Sequence, residues 1–183
     1  MRILLHICCA PCSVMCVKTL QDARHQIVGY WYNPNIHPAT EYLARRDQMI
    51  AYAQAIGLEL VVDDFYGLEP FLKNVIDDID NRCEYCYRER LQHTAKKAKA
   101  LGLDAFTSTL FISPYQRHEL LRKQAELVAL EEEICFHYVD FRPYYREGRE
   151  YARKQNFYLQ KYCGCVFSEQ DRYQKKLSQK LRG

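Results

Sequence analysis

No run of apolar residues in this chain approaches the ~18 that a membrane-crossing helix needs, so no such helix and a soluble protein are expected. Charge of one sign is not in excess either: 26 Lys and Arg against 23 Asp and Glu leave a net +3. The resulting pI of 8.3 falls short of the value above ~9 that marks a strongly basic nucleic-acid domain. Contact with an anionic partner must therefore come from how the charges are distributed. There is no Pro-, Gly- or Ser-rich linker, internal repeat or low-complexity tract, and 183 residues are about one domain's worth. One α/β domain over 1–183 is expected, with a helical C-terminal extension over about 141–183. No signal peptide is expected: the short apolar run at residues 1–8 is broken by His6 and has no small-residue cleavage site after it. This start reads as a buried strand, and a cytoplasmic location is expected. Finally, the loop after that strand, Cys8-Cys9-Ala10-Pro11-Cys12, lacks glycine. A nucleotide-binding turn, in which glycines let the backbone approach phosphates, is disfavoured there.

What the chain does have is cysteine, nine in all, seven of them in three tight clusters: Cys8, Cys9 and Cys12; Cys83 and Cys86; Cys163 and Cys165. In a reducing compartment clustered cysteines are more often metal-binding or catalytic than disulfide scaffolds, and an odd number leaves one thiol unpaired. Four thiolates suit a [4Fe-4S] cluster or a tetrahedral zinc, and Cys8, Cys9, Cys83 and Cys86 supply four from two loops. A structural zinc in an RNA-binding module uses the same CxxC spacing. Cys9-Ala10-Pro11-Cys12, between a strand and a helix, also fits a thioredoxin-like dithiol. Against zinc stands the surplus of Cys12, Cys163 and Cys165. The CxxxCxxC order of radical enzymes is absent, as is the ferredoxin run. Cys16 among Val14, Met15 and Val17, and Cys135 in an apolar stretch, read as buried packing.

Apolar runs alternate with amphipathic ones. Strands are predicted over 2–7, 27–32, 58–62, 105–110 and 134–139, and helices over 13–23, 41–56, 67–78, 86–101 and 115–131. That rhythm predicts a mostly parallel sheet with helices on both faces and right-handed crossovers. Ligands of such sheets bind at the carboxyl ends of strands, where the first cysteine cluster falls; the second opens a helix, whose amino end favours thiolates. Arg142, Arg146, Arg149 and Arg153 recur at four, three and four residues, a basic stripe if helical, with Tyr144, Tyr145 and Tyr151 between them. Arg88, Arg90, Lys96, Lys97 and Lys99 follow the CxxC, and 175–182 forms a basic tail. Such faces can contact RNA phosphates and stack bases, or can simply be solvated.

His6-Ile7-Cys8-Cys9-Ala10-Pro11-Cys12-Ser13, Asn33-Pro34-Asn35-Ile36-His37-Pro38, Arg82-Cys83-x-x-Cys86-Tyr87, Thr109-Leu110-x-x-Ser113-Pro114-Tyr115, Asp140-Phe141-Arg142 and Tyr162-Cys163-Gly164-Cys165 together resemble the QueH family, the cobalamin-independent epoxyqueuosine reductases. The resemblance spans nearly the whole chain in order. It implies a fold related to the ATP-pyrophosphatase (HUP) domains. It implies reduction of epoxyqueuosine in tRNA to queuosine, the last step of queuosine synthesis, with a separate electron donor. It further implies a [4Fe-4S] cluster on Cys8, Cys9, Cys83 and Cys86, and a functional Cys163–Cys165 pair acting either as a redox-active disulfide or as ligands of an additional iron. Cys12, where some relatives carry Asp, is read as a third ligand of that iron. His6, His37, Asp140 and Tyr162 are the candidate proton donors.

Overall fold

A computed structural model describes residues 1–180. The chain runs β1 (Arg2–His6), α1 (Ala10–Asp22), β2 (Gln26–Trp31), α2 (Ala39–Ile56), β3 (Leu60–Val62), α3 (Leu68–Val75), α4 (Arg82–Ala100), β4 (Ala105–Ser108), α5 (His118–Glu131), β5 (Cys135–Phe136), α6 (Tyr145–Lys154) and α7 (Val166–Lys180). All five strands are parallel, in the order β3-β2-β1-β4-β5.

Central β1 pairs on both sides, Ile3 with Ile27 and Ala105, His6 with Tyr30 and Ser108. Helices cover both of its faces, which is why Ile3, Leu4 and Leu5 are consecutive apolar residues, all fully buried. Each contributes roughly 1.5–3 kcal/mol by leaving water. From β1 the chain moves outward to β2 and β3, then returns past β1 to β4 and β5. Right-handed crossovers therefore put α1 and α2 on one face and α4 and α5 on the other. The packing agrees: α1 touches α2 and β2, while α4 touches α5, β1 and β4. Loops leave β1 and β4 in opposite directions, and the crevice between them is where such sheets hold ligands.

After β5 the chain folds back, and α6 packs on α1. Gly148 permits the approach, since a Cβ there would lie 3.3 Å from Met15 Cγ. No helix among the described residues is long and apolar enough to cross a membrane.

Several boundaries differ from the pattern-based expectation. Helix α1 starts at Ala10 because Pro11 sits in its first turn, where a preset φ helps and the missing N–H costs nothing; Cys12 is thereby helical. Helix α4 starts at Arg82, so Cys83 and Cys86 lie one turn apart at its amino end. Helix α5 begins only at His118, because Ser113 before Pro114 is extended, as a residue preceding proline prefers. Cys135, expected to be buried, is exposed: β5 is a two-residue edge strand paired with β4 alone. Cys16 is buried as expected.

Gly67 holds the loop at 33–38 in place from below, since a Cβ would fall 2.5 Å from Pro34 Cβ and 3.0 Å from Pro34 O. Gly67→Ala is expected to cost about 1–3 kcal/mol, the scale of an overpacked contact, read as a lower denaturation midpoint at unchanged m-value.

Candidate functional site

The site begins where β1 ends. His6 is fully buried, with Nε2 3.1 Å from Tyr32 O and Nδ1 2.9 Å from Ser108 Oγ. The carbonyl can only accept, so the proton sits on Nε2. Burial lowers the pKa of His6 to about 4, leaving it neutral. Cys8 N–H donates to Thr109 Oγ1 at 3.2 Å, tying the β1 loop to the β4 loop. Cys9 then caps α1 in an extended conformation, φ −174° and ψ 160°. This turn brings Sγ of Cys8, Cys9 and Cys12 to within 4.8 Å of one another, all buried, the sole such group of three potential metal ligands among the described residues. Gln160 Nε2 reaches Cys9 Sγ at 3.2 Å and Cys12 Sγ at 3.6 Å. Hydrogen bonds from Cys12 and Cys9 hold the Cys8 thiol well below its ordinary range, donation to Cys8 holds Cys12 up, and burial pushes Cys9 up. The three thiols are coupled, so the trio titrates as a unit.

A second group lies opposite. Cys83 is half-buried and Cys86 buried on the first turns of α4, while exposed Cys163 and buried Cys165 flank Gly164 ahead of α7. Cys86 and Cys165 share a small apolar cluster with Phe71 and Val75. Burial pushes Cys86 up to about 12 and also raises Cys83, and the charges of Cys163 and Cys165 add to both shifts. Gln116, on the β4–α5 loop, reaches Cys163 Sγ with Nε2 at 3.3 Å.

Two buried arginines frame these groups. Arg45, on α2, pairs with Glu41 at 2.6 Å and donates to Cys163 O at 2.9 Å and Tyr162 O at 3.1 Å. Tyr158 OH bonds Glu41, Tyr162 OH donates to His37 O at 2.6 Å, and His37 N donates to Gly164 O at 2.8 Å. The turn at 162–164 is thus gripped by α2 and the 33–38 loop. Arg90, on α4, places Nη2 3.1 Å from Cys86 Sγ, and its charge extends to Cys163 and Cys8.

Among the residues singled out from sequence, the seven clustered cysteines fall into two groups, and Cys83 and Cys86 do not join Cys8 and Cys9 in a close set of ligands among the described residues. Cys12 sits with Cys8 and Cys9, and the Cys163–Cys165 pair sits with Cys83 and Cys86. Arg146, Arg149 and Arg153 lie on α6. Arg142 does not: it precedes the helix, in a 3-10 turn over Arg142–Tyr144, and donates three hydrogen bonds to Asp140, from its backbone N at 3.0 Å and its guanidinium at 2.8 and 2.7 Å. The basic face expected on α4 is not free. Arg90 is buried, and Arg88, Lys96, Lys97 and Lys99 pair with Glu131, Glu132, Asp63 and Glu133. Of the basic tail, residues 181–182 and the side chain of Lys180 fall outside the described part. Glu41, Arg45, Gln116 and Gln160 went unread in the sequence. Glu41 and Arg45 at i,i+4 look like any surface pair, and nothing local marks them as buried.

His37 is also held neutral, its pKa lowered by burial to about 4. Both histidines take up protons in the unfolded chain near pH 6.5 but in the folded one only near pH 4. The unfolded state therefore binds more protons between these values, and stability falls as pH drops through that window. For fully buried His6 the loss is on the order of 3 kcal/mol. Thermal melts of the metal-free protein from pH 7 to 4 should show the decline, and His37→Gln should make it shallower, leaving the part due to His6.

The family model described as epoxyqueuosine reductase QueH matches residues 3–171. Relatives bearing that description include a protein of Dehalococcoides mccartyi, 39% identical over 174 residues that cover 95% of this chain and 96% of that one. A Helicobacter pylori protein is 35% identical over 90% of this chain but only 48% of its own greater length. One from Thermotoga maritima is 30% identical over 94% of this chain and 93% of its own. With a buried group of three thiols at the carboxyl end of β1 and a match along nearly its whole length, the chain belongs to the QueH family.

Proposed function

We propose that this protein is a metal-dependent epoxyqueuosine reductase acting on tRNA, converting the epoxide of epoxyqueuosine to the cyclopentene of queuosine with electrons from a separate donor. The observation that carries the reading is the buried group of three unbridged thiols, Cys8, Cys9 and Cys12, at the end of β1, with Cys83, Cys86, Cys163 and Cys165 as a second unbridged group at the amino end of α4 and the turn before α7. An all-sulfur donor set of this kind, with amide N–H groups of Gln160 and Gln116 aimed at sulfur, fits iron-sulfur ligation. Cys8, Cys9, Cys83 and Cys86 are the ligands we assign to a [4Fe-4S] cluster. Cys163 and Cys165 form the second functional pair, as a disulfide or as ligands of an added iron, and Cys12 stands ready as a further ligand. When bound, such a centre supplies single electrons at low potential and a second iron supplies a Lewis acid.

Deoxygenation consumes two electrons and two protons and releases the oxygen as water. Of the four proton donors considered, His6 is engaged at both ring nitrogens and stays neutral. Asp140 is held at about 2 by Arg142 and carries no proton near neutrality. His37 has Nε2 committed to Pro34 O, with Nδ1 unpartnered. Tyr162 directly precedes Cys163, and its hydroxyl, kept protonated by burial, donates to His37 O at 2.6 Å; we assign it as the donor, which requires that bond to open when substrate binds, and Tyr162→Phe is expected to lower kcat more than KM, leaving metal content unchanged.

Exposed Arg146 and Arg153 and half-buried Arg149 on α6 are assigned to tRNA phosphates; Arg142, ahead of the helix and paired with Asp140, joins them only if that pair opens. Replacing the three α6 arginines by alanine should weaken tRNA binding and reduce the slope of log affinity against log salt by about 0.7–0.9 for each phosphate no longer neutralised. An unchanged slope would remove this face from the interface.

Anaerobic reconstitution with iron and sulfide, followed by metal analysis, Mössbauer spectroscopy and a turnover assay on epoxyqueuosine-containing tRNA, tests the whole reading. Four irons per chain leave Cys163 and Cys165 to act as a dithiol, and five make them ligands. A colourless protein holding only zinc, or a metal-free one reducing small disulfides, overturns it.

A further inference from the structure

Arg90 is 2% exposed. Its Nε donates to Cys86 O at 3.0 Å and its Nη2 to Cys86 Sγ at 3.1 Å. Among the described residues no carboxylate forms an ion pair with it, in contrast to Arg45, which has Glu41 at 2.6 Å. Glu89, next to it in sequence, is spent on Tyr32 at 2.9 Å and His93 at 3.2 Å. His6 is neutral and offers no negative charge. A guanidinium cannot shed its proton in a protein, and an unanswered buried charge costs several kcal/mol. The fold therefore carries a fixed positive charge that calls for an anion in the same space. The groups its charge reaches most strongly are Cys86, Cys163 and Cys8, all sulfur and from three separate segments. Cys86, the sulfur it touches, is kept a neutral thiol by burial, and Cys8, the thiol held low, has no hydrogen bond to Arg90 among the described residues. Four thiolates around a metal core leave a net negative charge, and that balances the guanidinium.

We propose that Arg90 is the buried counter-ion of the sulfur-ligated centre: its fixed charge makes loading of the centre relieve an electrostatic cost carried by the metal-free fold, and holds the reduction potential of the loaded centre upward. This rests on the reading that the clustered thiols hold a metal centre. Arginine suits the place because its planar fork spans the carbonyl and the sulfur of one residue at once.

The test compares wild type, Arg90→Met and Arg90→Lys, each metal-free and anaerobically reconstituted with iron and sulfide. Melting temperature, iron content and, for the loaded forms, reduction potential are measured. Metal-free Arg90→Met should melt no lower than wild type, because a neutral side chain of similar length replaces an uncompensated charge. Its gain in Tm on loading should be less than half that of wild type, and its potential more negative. Arg90→Lys, which keeps the charge, should recover most of both. Failure of Arg90→Met to take up iron while Arg90→Lys loads normally is the extreme form of the same result. If Arg90→Met does not fold, Arg90→Gln against Arg90→Lys decides by the same readouts. Equal Tm gains and equal potentials in the neutral variant and wild type overturn the counter-ion role. A wild type that takes up no metal and gains no stability overturns the metal-centre reading itself.

Discussion

Replacing Cys163 and Cys165 together by serine is expected to abolish epoxide reduction while the visible iron-sulfur absorbance persists. Position and chemistry both lead to this result. Arg45 holds this turn through the carbonyls of Tyr162 and Cys163, not through the sulfurs, so the backbone keeps its place when the thiols go. The hydroxyls that remain neither form a disulfide nor ligate iron as thiolates do. Loss of a group essential to the chemistry lowers kcat by about 100-fold or more. Turnover of epoxyqueuosine-containing tRNA by the double variant at the wild-type rate would remove the pair from the reaction. Loss of the absorbance together with activity would instead make these cysteines part of the primary ligand set.

Arg45→Met should produce the largest change in stability. The substitution leaves Glu41, 7% exposed, without its cation, and breaking one side of a buried pair costs about 3–5 kcal/mol. In a domain of this size that is a fall in Tm on the order of 10 °C. It also frees the turn at 162–164, so Cys163 should become more reactive toward alkylating reagents in the metal-free protein. Adding Glu41→Leu removes the stranded carboxylate and should restore much of the Tm, whereas the grip on the two carbonyls stays lost and activity stays low. A double variant that recovered activity along with Tm would reduce Arg45 to a packing role. Melting curves and turnover on the same preparations separate the two.

The parallel α/β architecture was legible because its signals are local. A continuous apolar run such as Ile3-Leu4-Leu5, the glycine ending α2 and the turn residues of 33–38 each report the conformation of their own few residues. The cysteine clusters were legible for the same reason, since CxxC and CxC spacings bring thiols close along the chain whatever the fold. Boundaries were misplaced where one residue acts on the next turn: Pro11 let α1 begin earlier, and Pro114 made α5 begin later. Cys135 was misread because an apolar stretch does not say how many neighbours a strand will have, and β5 has one.

Composition, spacing and periodicity were enough to give a sulfur-rich α/β protein and the resemblance to its family. They could not say which thiols would share a space. Cys165 meets Cys86 across a long stretch of intervening chain, and it is the hold of Arg45 and the 33–38 loop on the 162–164 turn that closes that distance. Nor could they tell a solvated arginine from a buried one. Arg88 and Arg90 are near neighbours on α4, yet the first lies on the surface beside Glu131 and the second lies under the sulfurs without a carboxylate. The difference comes from which helix face meets the sheet, and burial turns an ordinary surface charge into one that the site must neutralise.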